Sequence, residues 1–358
     1  MTFKERIILV YRSVLFQAVM LGMIAFTQLG IKESISELGG GGLRNVSTSN
    51  AQQAILFAVM IPGAPIASIL ANRYGIHISA FLGSISGIFI STALYENSRT
   101  GNQWYIYFGA VLSGITSSFY WSSESTVAIL YPNDRSRGLF LGVWRSLTTC
   151  GSLIAGAIAF SLNIHGKTTS SVTLNTYRVL IAIQCTGPIF GALVSPPEKI
   201  IKPDGKVLKT NIVEDLTVKQ RIMQYRAIIS RKEILCFLPL FFSLFWWKPF
   251  ENNFVGQKFT TRVRGMNSFV ASVVSLVTNI AMIALYDCKW VSRKNKTRFI
   301  WIGGAAIKAT FYIWSLYNVK WLEKHVKKSK RIDFGDKYFK RTYIPLLLAN
   351  IASEWMFN

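Results

Sequence analysis

Two ionisable residues lie in otherwise apolar stretches of this chain at places where opposite charges can meet. Glu124 comes seven residues before Tyr131, and Arg145 seven residues after Gly138. If each belongs to a helix, a rise of about 1.5 Å per residue puts both roughly 10 Å in from the same end. Helices joined by a short connector run antiparallel, so an ion pair between Glu124 and Arg145 is expected. Pairing lowers the cost of burying either charge, and breaking the pair is one means of gating. Further along, Phe250-Glu251-Asn252-Asn253 sets three adjacent polar side chains beside Trp246, Trp247 and Pro249. A helix broken at the proline exposes backbone groups that can line a cavity. Lys308 is a lone cation one turn after Gly303-Gly304. Glu33 and the run Gly39–Gly42 follow the first apolar stretch, and loop flexibility is the simplest account of four glycines there.

These residues suit binding or gating rather than bond-making. No nucleophile elbow, phosphate-cradling glycine loop or His-Glu-x-x-His pair occurs, so no catalytic residue is assigned and no enzyme is expected. Cys150, Cys185, Cys236 and Cys288 form no Cys-x-x-Cys spacing, and His77, His165 and His325 are scattered. Neither a metal nor another cofactor is therefore expected.

What must position the candidates is set by hydropathy. A lipid core about 30 Å thick needs a helix of about 20 mainly apolar residues. Nine stretches qualify: Ile7–Leu29, Ala51–Leu70, Ile76–Tyr95, Trp104–Leu130, Leu139–Leu162, Tyr177–Val194, Ile234–Phe254, Asn267–Tyr286 and Phe299–Val319. A tenth, Tyr343–Asn358, has 16 residues. With 51% hydrophobic residues, 16% charged and a mean hydropathy of +0.32, the chain reads as an all-α polytopic membrane protein. A barrel would alternate apolar and polar residues instead. The N-terminus is basic and then apolar for too long to be a signal peptide, so it reads as an uncleaved first helix. The net charge of +23 raises nucleic acid as a partner, but the Lys and Arg residues fall between apolar stretches. There they set topology and meet anionic head groups, so membrane lipids and not nucleic acid are expected.

Residues 1–194 form a six-helix block with short connectors. Residues 195–233 form a polar connector that opens on Pro196-Pro197 and carries nine Lys or Arg; residues 234–358 form a second helix group. Within the connector, Val213–Ile229 mixes apolar and basic residues at helical spacing and is expected to lie amphipathically at the interface. Counting basic residues in loops places the N-terminus and connector in the cytoplasm. The loop Lys320–Arg341, with nine basic residues, then falls on the opposite side against the rule. The sequon Asn45-Val46-Ser47 falls on the outer side, so Asn45 is an expected glycosylation site; Asn295-Lys296-Thr297 falls inside and should stay unmodified.

The loop Ser68-Ile69-Leu70-Ala71-Asn72-Arg73-Tyr74-Gly75 resembles the major facilitator signature Gly-x-x-x-Asp-Arg-x-Gly, with Ser for the first Gly and Asn72 for the Asp. The likeness extends to FTQLGIKESISELGGGG at Phe26–Gly42, to Thr100–Pro132, to RGLFLGVWRS at Arg137–Ser146, to SPPEKI at Ser195–Ile200 and to FTTRVRGMNS at Phe259–Ser268. Together these look like the fungal branch of the Unc-93-like major facilitator proteins, over about residues 10–290. The resemblance implies a two-bundle fold of twelve helices, with Arg73 in an interhelical charge relay that Asn72 leaves short of a carboxylate. Glu124 and Arg73 are then the positions most worth testing. It also implies a secondary transporter of a small organic solute, working by alternating access. The alternative, as in animal relatives, is a non-transporting adaptor or regulatory subunit with a membrane-protein partner. Measured against that pattern the second bundle is expected to be incomplete, and an inactive shortened product is a third reading.

Overall fold

Apolar runs in lipid must satisfy their backbone groups internally, and helices do so. Helices make up nearly all of the computed structural model, which describes residues 3–43, 45–132, 137–165, 172–201, 218–244, 247–287, 292–326 and 330–357. Among the described residues there are two isolated bridges and no strand. The first group comprises α1 Phe3–Tyr11, α2 Val14–Glu37, α3 Val46–Tyr74, α4 Ile76–Thr100 and α5 Trp104–Leu130. It continues with α6 Arg137–Asn163, α7 Leu174–Gln184 and α8 Gly187–Ala192. After the connector come α9 Val218–Ile229, α10 Lys232–Leu244 and α11 Trp247–Lys258. The last three are α12 Thr261–Asp287, α13 Arg293–His325 and α14 Phe339–Phe357. Among the described residues, four stretches, α2, α3, α4 and Phe140–Asn163 of α6, are by length and composition long and apolar enough to cross a membrane. Apolar side chains such as Ile61 and Ile302, 73% and 72% exposed, point outward as lipid-facing residues do.

Several helix ends differ from the sequence-based expectation, each for a local reason. The first stretch breaks at Ser13, whose Oγ accepts from the Phe16 N–H at 3.2 Å and caps α2. From there α2 runs on past Leu29 to Glu37 through a five-residue π turn, Phe26–Gly30, so Glu33 is helical and not in a loop. The π turn lies where α2 meets α6: a Cβ on Gly30 would strike the backbone of Thr148 and Ser152, and one on Gly151 the Phe26 carbonyl. Small residues there let the two backbones touch. Pro249 does not break its helix. It sits in the first turn of α11, where a missing N–H forfeits no intrahelical bond. Helix α12 starts at Thr261, six residues earlier than expected, which brings Arg264 inside it. Of the expected amphipathic segment, 218–229 is helical and 213–217 lies outside the described residues.

Contacts between described segments mark two ends of the molecule. At one end, the connector face, the Ile201 N–H donates to the Arg12 carbonyl at 3.0 Å, and the Tyr131 hydroxyl donates to the Ser195 carbonyl at 3.1 Å. At the other, the glycine face, the Val172 N–H donates to the Gly42 carbonyl at 3.0 Å. The loop carrying Ile332 also lies at the glycine face: the Ile332 N–H donates to the Lys258 carbonyl at 2.8 Å, and the Thr260 N–H to the Ile332 carbonyl at 3.1 Å. The two groups meet along α12, which packs against α2 and α6.

Candidate functional site: a charged cluster between the helix groups

Four helices carry charged or amide side chains at intervals that place them on one face: Glu33 and Glu37 on α2, Lys248 and Glu251 on α11, Asn350 and Glu354 on α14, with Arg145 alone on α6. Spacings of three and four residues bring such pairs onto one side of a helix. The remaining positions of each helix are mainly apolar, and burying them turns these polar faces toward one another. The Lys248 ammonium contacts the Glu37 carboxylate and lies 3.5 Å from Glu354 Oε1, so a single cation joins α11, α2 and α14. Beside it Glu251, 2% exposed, accepts from Asn350 Nδ2 at 2.6 Å. Arg145 Nη1 lies 3.8 Å from Glu33 Oε1. The Lys248 set therefore holds three carboxylates around one ammonium. Charge buried with so little compensation is expensive unless the site has work to do.

Toward the glycine face the cluster is capped. Arg264, 2% exposed, donates from Nε to the Leu38 carbonyl at 2.7 Å and from Nη2 to those of Gly39 and Leu43 at 2.6 and 3.1 Å. The loop turns its carbonyls inward because Gly39, Gly40, Gly41 and Gly42 all adopt positive φ, at 74, 56, 60 and 82°. Side chains are strained in that region. The Gly41 carbonyl is also bound, accepting from the Tyr177 hydroxyl at 2.7 Å. The glycines thus build a fixed acceptor cradle and are not a flexible loop. Below the clamp, Asn267 Nδ2 donates to the Glu37 carbonyl at 2.9 Å, and Ser34–Ser268 and Ser152–Ser272 pair their hydroxyls at 2.8 Å each. The seam ends where Asn279 Nδ2 donates to Thr149 Oγ1 at 3.0 Å.

The expected pair of Glu124 with Arg145 does not form. Helix α5 packs chiefly on α3 and α4, whereas α6 packs on α2 and α12, so neighbours in sequence diverge in space. Arg145 meets Glu33 of α2 instead. Glu124 is buried and makes no ion pair among the described residues; nearby, Trp144 Nε1 donates to the Tyr120 hydroxyl at 3.2 Å. Arg73 is exposed at the end of α3 with its guanidinium 5.7 Å over the Tyr74 ring, and half-buried Asn72 precedes it. Among the described residues Arg73 has no acidic partner, so the relay implied by resemblance is not assembled here. Glu251 belongs to the cluster, and Asn252, next to it, has a buried Oδ1 that accepts no hydrogen bond. Lys308 is half-buried on α13 and makes no ion pair among the described residues. Asn45 is exposed at the glycine face and caps α3, its Oδ1 accepting from the Ser47 N–H at 3.1 Å. Trp246 lies outside the described residues.

Sequence reasoning missed Glu37, Lys248, Arg264, Asn350 and Glu354. A signal was present in the spacings Glu33/Glu37, Lys248/Glu251 and Asn350/Glu354. Arg264 falls between the expected stretches Ile234–Phe254 and Asn267–Tyr286, outside either helix.

The Major Facilitator Superfamily profile matches residues 13–321. The chain is 26% identical over 348 residues to notoamide biosynthesis cluster protein O′ of Aspergillus versicolor, covering 97% of this chain and 75% of that protein. It is 22% identical over 326 residues to an UNC93-like protein of Schizosaccharomyces pombe, covering 90% and 64%. It is 25% identical over 330 residues to UNC93-like protein 1 of Arabidopsis thaliana, covering 91% and 71%. Among solved structures, the xylose transporter XylE from E. coli in a partially occluded inward open conformation superposes with a TM-score of 0.60 at 14% identity, covering 96% of this chain and 84% of that one. A POT family transporter in complex with 5-aminolevulinic acid gives 0.54 at 14%, covering 95% and 88%. These likenesses support the all-α two-bundle fold.

Proposed function

The chain belongs to the Major Facilitator Superfamily, and on that premise we propose that it is a secondary transporter moving a small organic solute by alternating access. Its two bundles are residues 1–194 and 234–358, joined by the cytoplasmic connector 195–233. The observation that carries this reading is Lys248, which ties Glu37 of the first bundle to Glu354 of the second beneath a seam closed at the glycine face. A site shared by two bundles and covered on one side is what alternating access requires. A biosynthesis-cluster protein among the relatives fits a carrier of small organic compounds. An adaptor, working only through its surface, has no use for buried charges shared between bundles.

The glycine face is the outer one on this reading, with Asn45 glycosylated there and lipid head groups meeting the basic connector. The test is two-sided thiol labelling. In a background with the native cysteines replaced by serine, Ser268→Cys lies in the closed seam. It should react with a membrane-impermeant maleimide added to the outer face, because the seam opens during the cycle. A glycosidase-sensitive form that disappears in Asn45→Gln identifies that face independently. A folded protein whose Ser268→Cys stays silent from both sides would refute alternating access and favour the adaptor.

A further inference from the structure

We propose that the charged cluster is a binding site for a primary ammonium group, so that the solute carried is an amine. This rests on the transporter reading for its physiological meaning, though binding itself can be measured without transport. The first observation is charge: Glu37, Glu251 and Glu354 face one cation, Lys248. Glu37 and Glu251 are each 2% exposed and Glu354 5%, so bulk water does little to screen the excess.

The second observation is independent of charge and concerns hydrogen bonds. Glu37 Oε2, Glu251 Oε2, Asn252 Oδ1 and Asn350 Oδ1 are all buried, and none accepts a hydrogen bond. Asn350 is itself 2% exposed, and its amide is held at the cluster by the bond to Glu251. These four orphan atoms are acceptors, and the Tyr343 hydroxyl, buried and unpaired as well, offers one donor at most. Buried acceptors without donors are rare, and each one calls for an explanation. A proton on a carboxylate supplies one donor and cancels one charge. A water supplies two donors and cancels none. An alkylammonium supplies one positive charge and three N–H donors together, as the Lys248 side chain already does. The cluster therefore recognises the group that Lys248 imitates. The incoming ammonium takes up part of the carboxylate excess and can compete with Lys248 for Glu37 or Glu354.

The test uses the full chain in lipid nanodiscs, titrated at neutral pH with n-hexylammonium, hexyltrimethylammonium and hexan-1-ol, and read by tryptophan fluorescence and thermal stability. n-Hexylammonium should bind saturably. The trimethyl compound keeps the charge but has no N–H and should bind about tenfold more weakly, the loss of one charged hydrogen bond or more. Glu251→Gln should weaken n-hexylammonium about tenfold as well. Lys248→Ala, which removes the internal competitor, should tighten it and recover stability as amine is added; this arm decides if Glu251→Gln does not fold. Equal binding of all three probes, or amine binding unchanged by both variants, would overturn the proposal. So would stabilisation on mild acidification with no response to amine, which would assign the excess charge to protons. If Ser268→Cys labels from the outer face while amine does not bind, the transporter reading stands and only the amine assignment fails.

Discussion

Replacing Arg264 with methionine should open the seam at the glycine face. Arg264 makes three hydrogen bonds across the two bundles, to the carbonyls of Leu38, Gly39 and Leu43. A hydrogen bond involving a charged group contributes about 1.5–3 kcal/mol, so simple addition gives about 4.5–9 kcal/mol. That sum is too large for two reasons. The guanidinium regains favourable solvation when the seam parts, and the three carbonyls can accept from water once exposed. A net effect of about 2–4 kcal/mol on the closed state is reasonable, which is about 30- to 700-fold in the closed-to-open ratio. Methionine approximates the length of the arginine stem and keeps the site filled, so lost packing contributes little.

The assay is the rate at which Ser268→Cys reacts with the impermeant maleimide from the outer face, with and without Arg264→Met. The rate should rise by at least about tenfold, with Arg264→Lys in between because one donor group survives on a narrower point charge. Gel filtration and an unchanged melting profile separate opening from unfolding. If Arg264→Met folds and labels no faster than its parent, the clamp does not hold the seam and the reasoning fails.

Two further predictions follow from the ion pairs. In a double-substitution cycle on stability, Glu33→Gln and Arg145→Gln should couple by about 0.5–1 kcal/mol, as a partly exposed pair at 3.8 Å does; Glu124→Gln and Arg145→Gln should be additive, and a larger coupling to Glu124 would contradict the geometry. In the loop outside the bundles, burial works to raise the Asp333 carboxyl, but hydrogen bonds from Arg262 and Thr260 outweigh it and hold the group below the usual aspartate range. A depressed folded value means that the contribution is present above the unfolded value, about 3.9, and lost as pH falls through the folded one. Hydrogen exchange over 330–338 should therefore stay slow from neutral pH to about pH 5 and become fast in Asp333→Asn. Loop opening between those pH values in the parent chain would refute it.

The apolar runs made the helices legible, because lipid leaves a backbone few alternatives. Helix ends were less so. Nothing in a hydropathy profile distinguishes Ser13 as a cap inside an apolar run, or shows that α2 winds through a π turn as far as Glu37. The site was half legible: Glu251 and Asn252 were found, and three pairs stood at helical spacing. Which helix meets which is a property of packing, and the expected Glu124–Arg145 pair assumed that adjacent helices stay adjacent. The basic loop Lys320–Arg341 defied charge counting, yet Ile332 pairs with Lys258 and Thr260 at the glycine face.

The layers at the glycine face differ in what opening demands of them. The outermost contact, Asp333 with Arg262 and Thr260, lies wholly within the second bundle, as does the bond from Arg331 Nη1 to the Gly256 carbonyl at 2.5 Å. These contacts can move as one rigid piece and need not break when the bundles separate. The next layer, Arg264 on the glycine cradle, crosses from one bundle to the other and must part, as must Ser34–Ser268 and Ser152–Ser272. Lys248 crosses as well, and it cannot release Glu37 without exposing buried carboxylates unless another cation takes its place. Opening is therefore resisted in two ways: by dipoles that water can replace at the clamp, and by charge that only a cation can replace at the cluster. An ammonium-bearing solute would relieve the second and leave the first to set the resting state. Asp333→Asn should on this account loosen its own loop without changing the labelling rate at Ser268→Cys. A rise in that rate comparable to the one from Arg264→Met would show that the loop, and not the clamp, holds the face shut.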